Sequence, residues 1–247
     1  MKGNDKKKVD GTKNSDSKIP RLLGLMFVVV AVLSLSSGLF LGSLGVPLTG
    51  PPDDANEMLT NFDDERSLAR MIIAVMLIEA VSIVFLAVLL NSTLKDQNKV
   101  IARWALGLWI IEAVSLTMRA TFVFFLMILS REFIDAGSPD DSHFQTLGIL
   151  FSQSAQFAYT ILMVCYTIGG FMFYSLFFKS RYVPRALSMF GMAAVFVGGI
   201  GTFMEILGME IPLVVFLPIL PFEIAIGIWL MIKGVDRSKE KMSANTN

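Results

Sequence analysis

The chain has 247 residues, of which 54% are hydrophobic, and its 21 basic and 21 acidic residues give a net charge of zero. A mean hydropathy of +0.63 excludes an ordinary soluble domain, and the length leaves no room for a second folded domain beside several membrane crossings. With one cysteine, Cys165, and one histidine, His143, the sequence also excludes an intrachain disulfide and a metal site built on histidines.

The chain begins with a basic tail followed by a long apolar segment. Residues 1–20 are polar and rich in lysine, and we expect them to be a disordered tail. No charged residue occurs in residues 22–46. This run is longer than the roughly 7–15 apolar residues of a cleaved signal peptide. We therefore predict that it is a retained membrane-spanning helix.

Five further apolar segments follow, and each of the six is long enough to cross a hydrocarbon core of about 30 Å as a helix. We predict an all-α polytopic integral membrane protein with one transmembrane domain over residues 21–233 and a second tail over residues 234–247. The first connection contains Gly50-Pro51-Pro52, which indicates a structural break. Prolines in the sixth span predict a kinked helix there. The predicted spans are 22–46, 68–90, 104–129, 147–178, 186–207 and 212–232.

The charges of the connections alternate in sign along the chain. Basic residues occur in both tails and in the second and fourth connections, for example Lys95 and Lys179. Acidic residues dominate the first and third connections, for example Asp63 and Asp135, and Glu210 lies in the short fifth. By the positive-inside rule we expect both termini in the cytoplasm, in an inner or plasma membrane.

Ionisable residues inside the spans are the most informative for function, because each costs a few kcal/mol near the bilayer centre. They are Glu79, Glu112, Arg119, Glu205 and Glu223. If Glu205 reaches interfacial water, three carboxyl groups still face one guanidinium. The excess must be protonated, hydrated in a cavity or neutralised by a bound cation. Glu112 and Arg119 are about 10 Å apart along one helix, so we expect Arg119 to pair with a carboxylate of another helix.

The fourth predicted span is the most polar. Gln153, Gln156 and Thr160 share one helical face, which we expect to point inward near Arg119 and Glu223. Two interpretations of this face remain open, namely hydrogen bonding between helices and a polar pocket open to the outside.

A short similarity links the second and third spans. Glu79-Ala-Val-Ser follows Arg70 by nine residues, and Glu112-Ala-Val-Ser follows Arg103 by nine residues. The same short pattern in two adjacent, oppositely oriented spans is typical of inverted-repeat transporters. The match is brief, however, and coincidence is the favoured explanation.

The last two spans carry the most recognisable residues. The segment KSRYVPRALSMFG at residues 179–191 begins the fifth span, and the sixth contains Pro218, Pro221 and Glu223 before WLMIKGVD at residues 229–236. These segments resemble the bacterial DUF4386 family of uncharacterised multi-spanning membrane proteins. The resemblance implies the membrane fold and no reaction. It singles out Pro184, Arg185, Gly191, Glu223, Lys233 and Gly234.

Our favoured hypothesis is a protein that binds or moves a small solute or cation through a polar intramembrane pocket. The alternative is a non-catalytic membrane partner or sensor subunit whose polar residues hold helices together. An enzyme is disfavoured because the predicted spans contain no histidine and no cluster of metal ligands. Nucleotide-binding motifs and a basic nucleic-acid surface are also absent from the sequence, so we expect no cofactor and no nucleic-acid partner. The candidate ligand-binding residues are Glu79, Glu112, Arg119, Gln153, Gln156 and Glu223.

Overall fold

The computed structural model describes residues 4–48, 50–139, 143–209 and 211–235, with side chains from Ile19 onward. Within these ranges the chain contains α-helices, one short 3-10 helix (Leu213–Val215) and no strand. The α-helices are α1 (Asn4–Ser43), α2 (Ala55–Asp64), α3 (Arg66–Leu94), α4 (Lys99–Asp135), α5 (His143–Ser180), α6 (Arg185–Ile206) and α7 (Ile219–Lys233).

Six stretches of the described chain are helices long and apolar enough to cross a membrane, which confirms the prediction of an all-helical multi-pass membrane protein. The helices α4 and α5 have 37 and 38 residues, well beyond the roughly 20 that a hydrocarbon core requires, so both extend past it. The six stretches are Ile19–Ser43, Arg66–Leu94, Lys99–Asp135, His143–Ser180, Arg185–Ile206 and Leu213–Lys233.

The sixth span is broken, as its prolines predict. Pro212 precedes the 3-10 helix, and Pro218 immediately precedes α7. Proline has no N–H to donate and clashes with the preceding turn, so a continuous α-helix through Pro218 is disfavoured. As a result α7 has only 15 residues, and the segment before it takes an irregular path.

The predicted tails lie largely outside the described side chains. The helix α1 begins at Asn4, so its backbone includes most of the predicted tail over residues 1–20. The predicted disorder of this tail stays a prediction. Residues 236–247, most of the predicted second tail, are outside the described ranges, as is Glu210.

The six α-helices other than α2 form a closed ring. Each contacts two principal neighbours, in the order α1, α3, α4, α5, α6 and α7, and α7 packs back against α1. Consecutive helices run in opposite directions, so the connections alternate between two ends of the ring. We call the end that carries Asp63 and Asp135 the acidic end, and the end that carries Lys99 and Arg185 the basic end. Such a ring has an interior that all its helices can line.

The helix α2 was not predicted, because the sequence around it indicated only a break. Asp54 caps it by accepting hydrogen bonds from the backbone N–H groups of Asn56 (2.8 Å) and Glu57 (3.2 Å). Its buried side chains are Met58, Leu59 and Phe62, and it packs on α3, α4 and α5 at the acidic end of the ring. The first connection is therefore a structured cover over part of the bundle.

Two glycines bring α1 and α7 into direct contact near the basic end. A β-carbon on Gly24 would lie 2.5 Å from the carbonyl oxygen of Gly227 and 2.7 Å from the backbone nitrogen of Met231. A β-carbon on Gly227 would lie 2.9 Å from the carbonyl oxygen of Gly24. Small residues of this kind let helix backbones approach closely in a membrane. The contact closes the ring at this level.

Candidate functional site

A cavity of about 410 Å³ lies inside the ring. Its charged lining residues are Glu79 of α3, Glu112 and Arg119 of α4, and Glu223 of α7. Their exposed fractions are only 4%, 5%, 3% and 8%. The structure thus brings the four charged residues of the candidate site to one cavity, while their role in ligand binding stays a prediction.

Glu79 and Glu223 are each held by a hydrogen bond from another helix. The Ser37 hydroxyl of α1 donates to Glu79 Oε2 at 3.1 Å. The Tyr166 hydroxyl of α5 donates to Glu223 Oε1 at 2.8 Å. These bonds fix both carboxyl groups at the cavity wall and also link α1 to α3 and α5 to α7.

Glu112 and Arg119 lack such partners among the described residues. Glu112 Oε2 and Arg119 Nε are both buried without a hydrogen bond. The direct ion pairs of the described chain join other residues, although Glu79 of α3 is near enough to Arg119 to attract it electrostatically, so the predicted pairing with a carboxylate of another helix is present only as a longer-range interaction. Instead its guanidinium carbon lies 4.4 Å from the ring centroid of Tyr159. A cation over an aromatic face is stabilised without a carboxylate partner, which explains the difference.

The structure does not bring Gln153 and Gln156 to the cavity. Gln153 is exposed and Gln156 is half-buried, so the prediction that Gln153 points inward is wrong. The face of α5 that lines the cavity contains Tyr159 and Tyr166. Gln153 lies roughly 120° around the helix from Tyr159. The rotation of α5 is fixed by Trp109 of α4, whose ring stacks on that of Tyr166 at 5.9 Å and whose indole N–H donates to the Tyr166 carbonyl at 3.3 Å.

Three lining residues escaped the sequence analysis as site residues. Tyr159 and Tyr166 are seven positions apart, which places both on one face of a helix, and this spacing was the available signal. Ser37 is one of several small polar residues in α1, so nothing in the sequence separates it from its neighbours. Together these residues supply two aromatic rings and two hydroxyl donors, Ser37 to Glu79 and Tyr166 to Glu223.

The short similarity between the second and third spans has a structural counterpart. Glu79 in α3 and Glu112 in α4 both line the cavity, while Val81 and Val114, two positions later, are exposed on the outside of the ring. The two segments therefore present equivalent faces to the interior. This arrangement explains how adjacent antiparallel helices deliver two carboxyl groups to one place.

The residues singled out by the resemblance divide into two groups. The Phe222 ring fills the space beside Gly191, where a β-carbon would clash with it, and packs edge-to-face on Tyr174 at 4.6 Å. Because Phe222 precedes Glu223, this packing holds Glu223 towards the cavity. Pro184, Arg185, Lys233 and Gly234 lie instead at the ends of α6 and α7.

The arrangement suits binding of a cation without metal coordination. Within the described residues, no group of three or more His, Cys, Asp or Glu side chains is placed to hold a metal ion. The three carboxyl groups belong to three different helices, and the rings of Tyr159 and Tyr166 line the same cavity. Such a wall offers negative charge and π faces to a ligand several ångströms across.

Comparisons with known proteins agree with the fold. No curated protein and no solved structure gives a significant match. A family model described as "Domain of unknown function (DUF4386)" matches residues 22–234, a region that includes all six candidate spans except residues 19–21 of the first. The match confirms the resemblance noted in the last two spans and extends it to the first four. The chain belongs to the DUF4386 family.

Proposed function

We propose that this protein binds, and moves across the membrane, a small cationic solute that occupies the intramembrane cavity. The observation that carries the proposal is the excess of three carboxyl groups over one guanidinium in a cavity of about 410 Å³. Its volume lies in the range of about 300–1,000 Å³ typical of small-molecule sites. A cation bound here would offset the excess of acid that the protein itself leaves unbalanced.

Glu112 distinguishes this proposal from the structural alternative. Glu79 and Glu223 each accept a hydrogen bond between helices, so their presence is also explained by helix packing. Arg119 Nε and Glu112 Oε2 make no such bond within the described chain. Arg119 still packs on the ring of Tyr159, so Glu112 is the member of the pair that helix packing does not explain. A buried polar group that contributes nothing to packing is typical of a site kept for function.

The orientation and location of the protein are part of the proposal. The basic end of the ring carries Lys99 and Arg185, and the acidic end carries Asp63 and Asp135. The positive-inside rule then supports an orientation with both termini in the cytoplasm. The protein would lie in the inner or plasma membrane of the cell. In this orientation α2 and the acidic end of the ring are at the outer leaflet, and the cavity lies nearer to that leaflet.

Thermal unfolding in the presence of tetramethylammonium chloride tests the binding proposal. A ligand that binds only the native state raises its stability as ligand concentration increases. We expect tetramethylammonium to raise the melting temperature of the purified protein more than sodium chloride at equal ionic strength. Glu112→Gln should abolish the difference. Glu132→Gln, the same change at an exposed position of the same helix, should retain it.

Two results would count against the proposal. An equal response of the parent protein to both salts would remove the evidence for a cation site, and an unchanged response in Glu112→Gln would place any site elsewhere. Uptake of radiolabelled tetramethylammonium into proteoliposomes then separates movement from binding alone. If binding fails and a second protein co-purifies in fixed stoichiometry, the partner or sensor-subunit hypothesis is favoured.

A further inference from the structure

The contact between α1 and α7 is uneven along its length. Near the basic end, the backbones touch at Gly24 and Gly227. Towards the acidic end, a β-carbon on Gly38 or Gly42 of α1 would have no atom of a neighbouring segment within 4 Å. The two helices therefore diverge from a closed contact into an open gap.

The gap is continuous with the cavity. Gly38 and Gly42 line the same cavity as Glu79, Glu112 and Glu223. The polar residues lie at its inner side, where they are buried. The glycines lie at its outer side, on the part of α1 that borders the gap.

Apolar side chains surround the outer side of the gap. Leu35 and Leu39 of α1 are 45% and 65% exposed, and Leu213 and Leu217 are 54% and 55% exposed, although all four line the cavity. These side chains face both the cavity and the surroundings of the ring. The opening is thus bordered by leucine, which is the lining expected where a site meets lipid acyl chains rather than water.

The connection that follows α1 borders the cavity at the acidic end. Leu48, in the connection between α1 and α2, lines it there, and the neighbouring Leu44 and Val46 are buried. Because of the proline break, residues 213–218 do not continue α7 as a straight helix packed along α1. Because the exposed lining residues all lie on α1 or on residues 213–217, the side of the ring between these two segments is the accessible route into the cavity.

We propose that the ligand is a single-chain cationic amphiphile that enters from the bilayer through this lateral opening. This inference rests on the proposed function, since it assigns a ligand class to the same site. The cationic head binds among Glu79, Glu112 and Glu223, and the alkyl chain lies along the opening beside Gly38. From Leu35 to Gly42 the opening runs about 10 Å along α1.

The head group is matched by charge and by shape. The described residues offer no trio of ligands for a metal ion, whereas Tyr159 and Tyr166 line the cavity with aromatic rings. Quaternary ammonium groups bind well to aromatic faces combined with carboxylates. An anionic head would be attracted by Arg119 but repelled by each carboxyl group that is ionised, whereas a cationic head stabilises the ionised form of all three.

Photo-crosslinking tests where the chain lies. The probe is a dodecyltrimethylammonium derivative with a diazirine on the alkyl chain, added to the full-length protein in zwitterionic nanodiscs. We expect cross-links to concentrate in residues 35–42 and 213–220, and excess dodecyltrimethylammonium to remove them. Dodecanoate, an anion with a chain of the same length, should not compete. Labelling spread over the outer faces of all six helices, or equal competition by dodecanoate, would overturn the inference.

A substitution that fills the opening gives a second, independent readout. Gly38→Leu has open space for its side chain and should reduce cross-linking by roughly tenfold or more, because it displaces several chain methylenes. Its melting temperature without ligand should not fall below that of the parent, because a β-carbon at Gly38 meets no atom of a neighbouring segment, so a loss of cross-linking would not reflect misfolding. Gly107→Leu is the matched control, since Gly107 also has open space but does not line the cavity. It should change neither property.

The same variants separate the two proposals. If tetramethylammonium stabilises the parent but Gly38→Leu cross-links as strongly as the parent, the lateral route is wrong and the cation site stands. If tetramethylammonium raises the melting temperature of neither the parent protein nor Glu112→Gln, the proposed function fails. The proposed ligand class then fails with it.

Discussion

At the scale of single residues, the interior of the ring contains two kinds of buried acid. Glu223 and Glu79 are satisfied by hydroxyl donors, whereas Glu112 has an oxygen without a partner in the described chain. The first kind contributes to stability, because removing one partner of a buried hydrogen bond leaves the other desolvated. The second kind contributes little to stability and is available to a ligand. Stability and function are therefore divided between neighbouring carboxyl groups.

The substitution Tyr166→Phe tests this division. It leaves Glu223 Oε1 without its donor, so we expect the free energy of unfolding to fall by about 1–3 kcal/mol. Tyr159→Phe is the control, because its ring remains beside Arg119 and no described group accepts a hydrogen bond from its hydroxyl. Thermal unfolding in detergent measures both. Equal loss in the two variants would show that the Tyr166 hydrogen bond has no special structural role.

The candidate site could be predicted from the sequence only in part. Glu79, Glu112, Arg119 and Glu223 stand out because charge is rare in apolar spans, and all four reach the cavity. Gln153 was selected because it lies on a polar face of the fourth span, but it faces outward, because packing of aromatic rings sets the rotation of α5. Periodicity identifies residues that share a face. It does not decide which face a neighbouring helix covers.

At the scale of helices, the contact between α1 and α7 depends on two glycines at one end and is open at the other. The hydropathy pattern predicts both helices but not their contact, because the closure depends on backbone atoms meeting at Gly24 and Gly227. The helix α2 was missed for a similar reason. Its apolar face is only Met58, Leu59 and Phe62, too short a pattern to separate from a loop.

Alanine substitutions in α1 test the uneven contact. Gly24→Ala places a methyl group against backbone atoms of α7, so we expect a loss of about 1–3 kcal/mol in stability. Gly38→Ala meets open space and should be neutral or stabilising by up to about 1 kcal/mol, since alanine favours helices over glycine. The melting temperatures of the two variants give the comparison. Similar values would contradict a closed contact at Gly24.

At the scale of the whole molecule, the proposed orientation follows from the sorting of charge between the two ends of the ring. The structure places Asp53 in the connection at the acidic end and Asp96 in the connection at the basic end. Both side chains are exposed. They provide a matched pair of positions from which the sidedness of the protein in a cell can be measured.

Cysteine labelling in intact cells tests the orientation. In a background where the buried Cys165 is replaced by serine, Asp53→Cys should react with a membrane-impermeant maleimide, because the proposed orientation places the acidic end outside the cell. Asp96→Cys should react only after the membrane is permeabilised. The reverse pattern would show that the protein has the opposite orientation, and the cavity would then open towards the inner leaflet.

The central claim is that buried carboxyl groups of three helices share one ligand cavity, and labelling with dicyclohexylcarbodiimide tests it most directly. This apolar reagent reaches carboxyl groups from within the membrane, and mass spectrometry identifies the modified residue. We expect one adduct per chain, on Glu79, Glu112 or Glu223, because a bulky adduct on one fills the space beside the others. Dodecyltrimethylammonium should prevent the reaction. Two or three adducts on the same chain, or modification that the cation does not prevent, would contradict the claim.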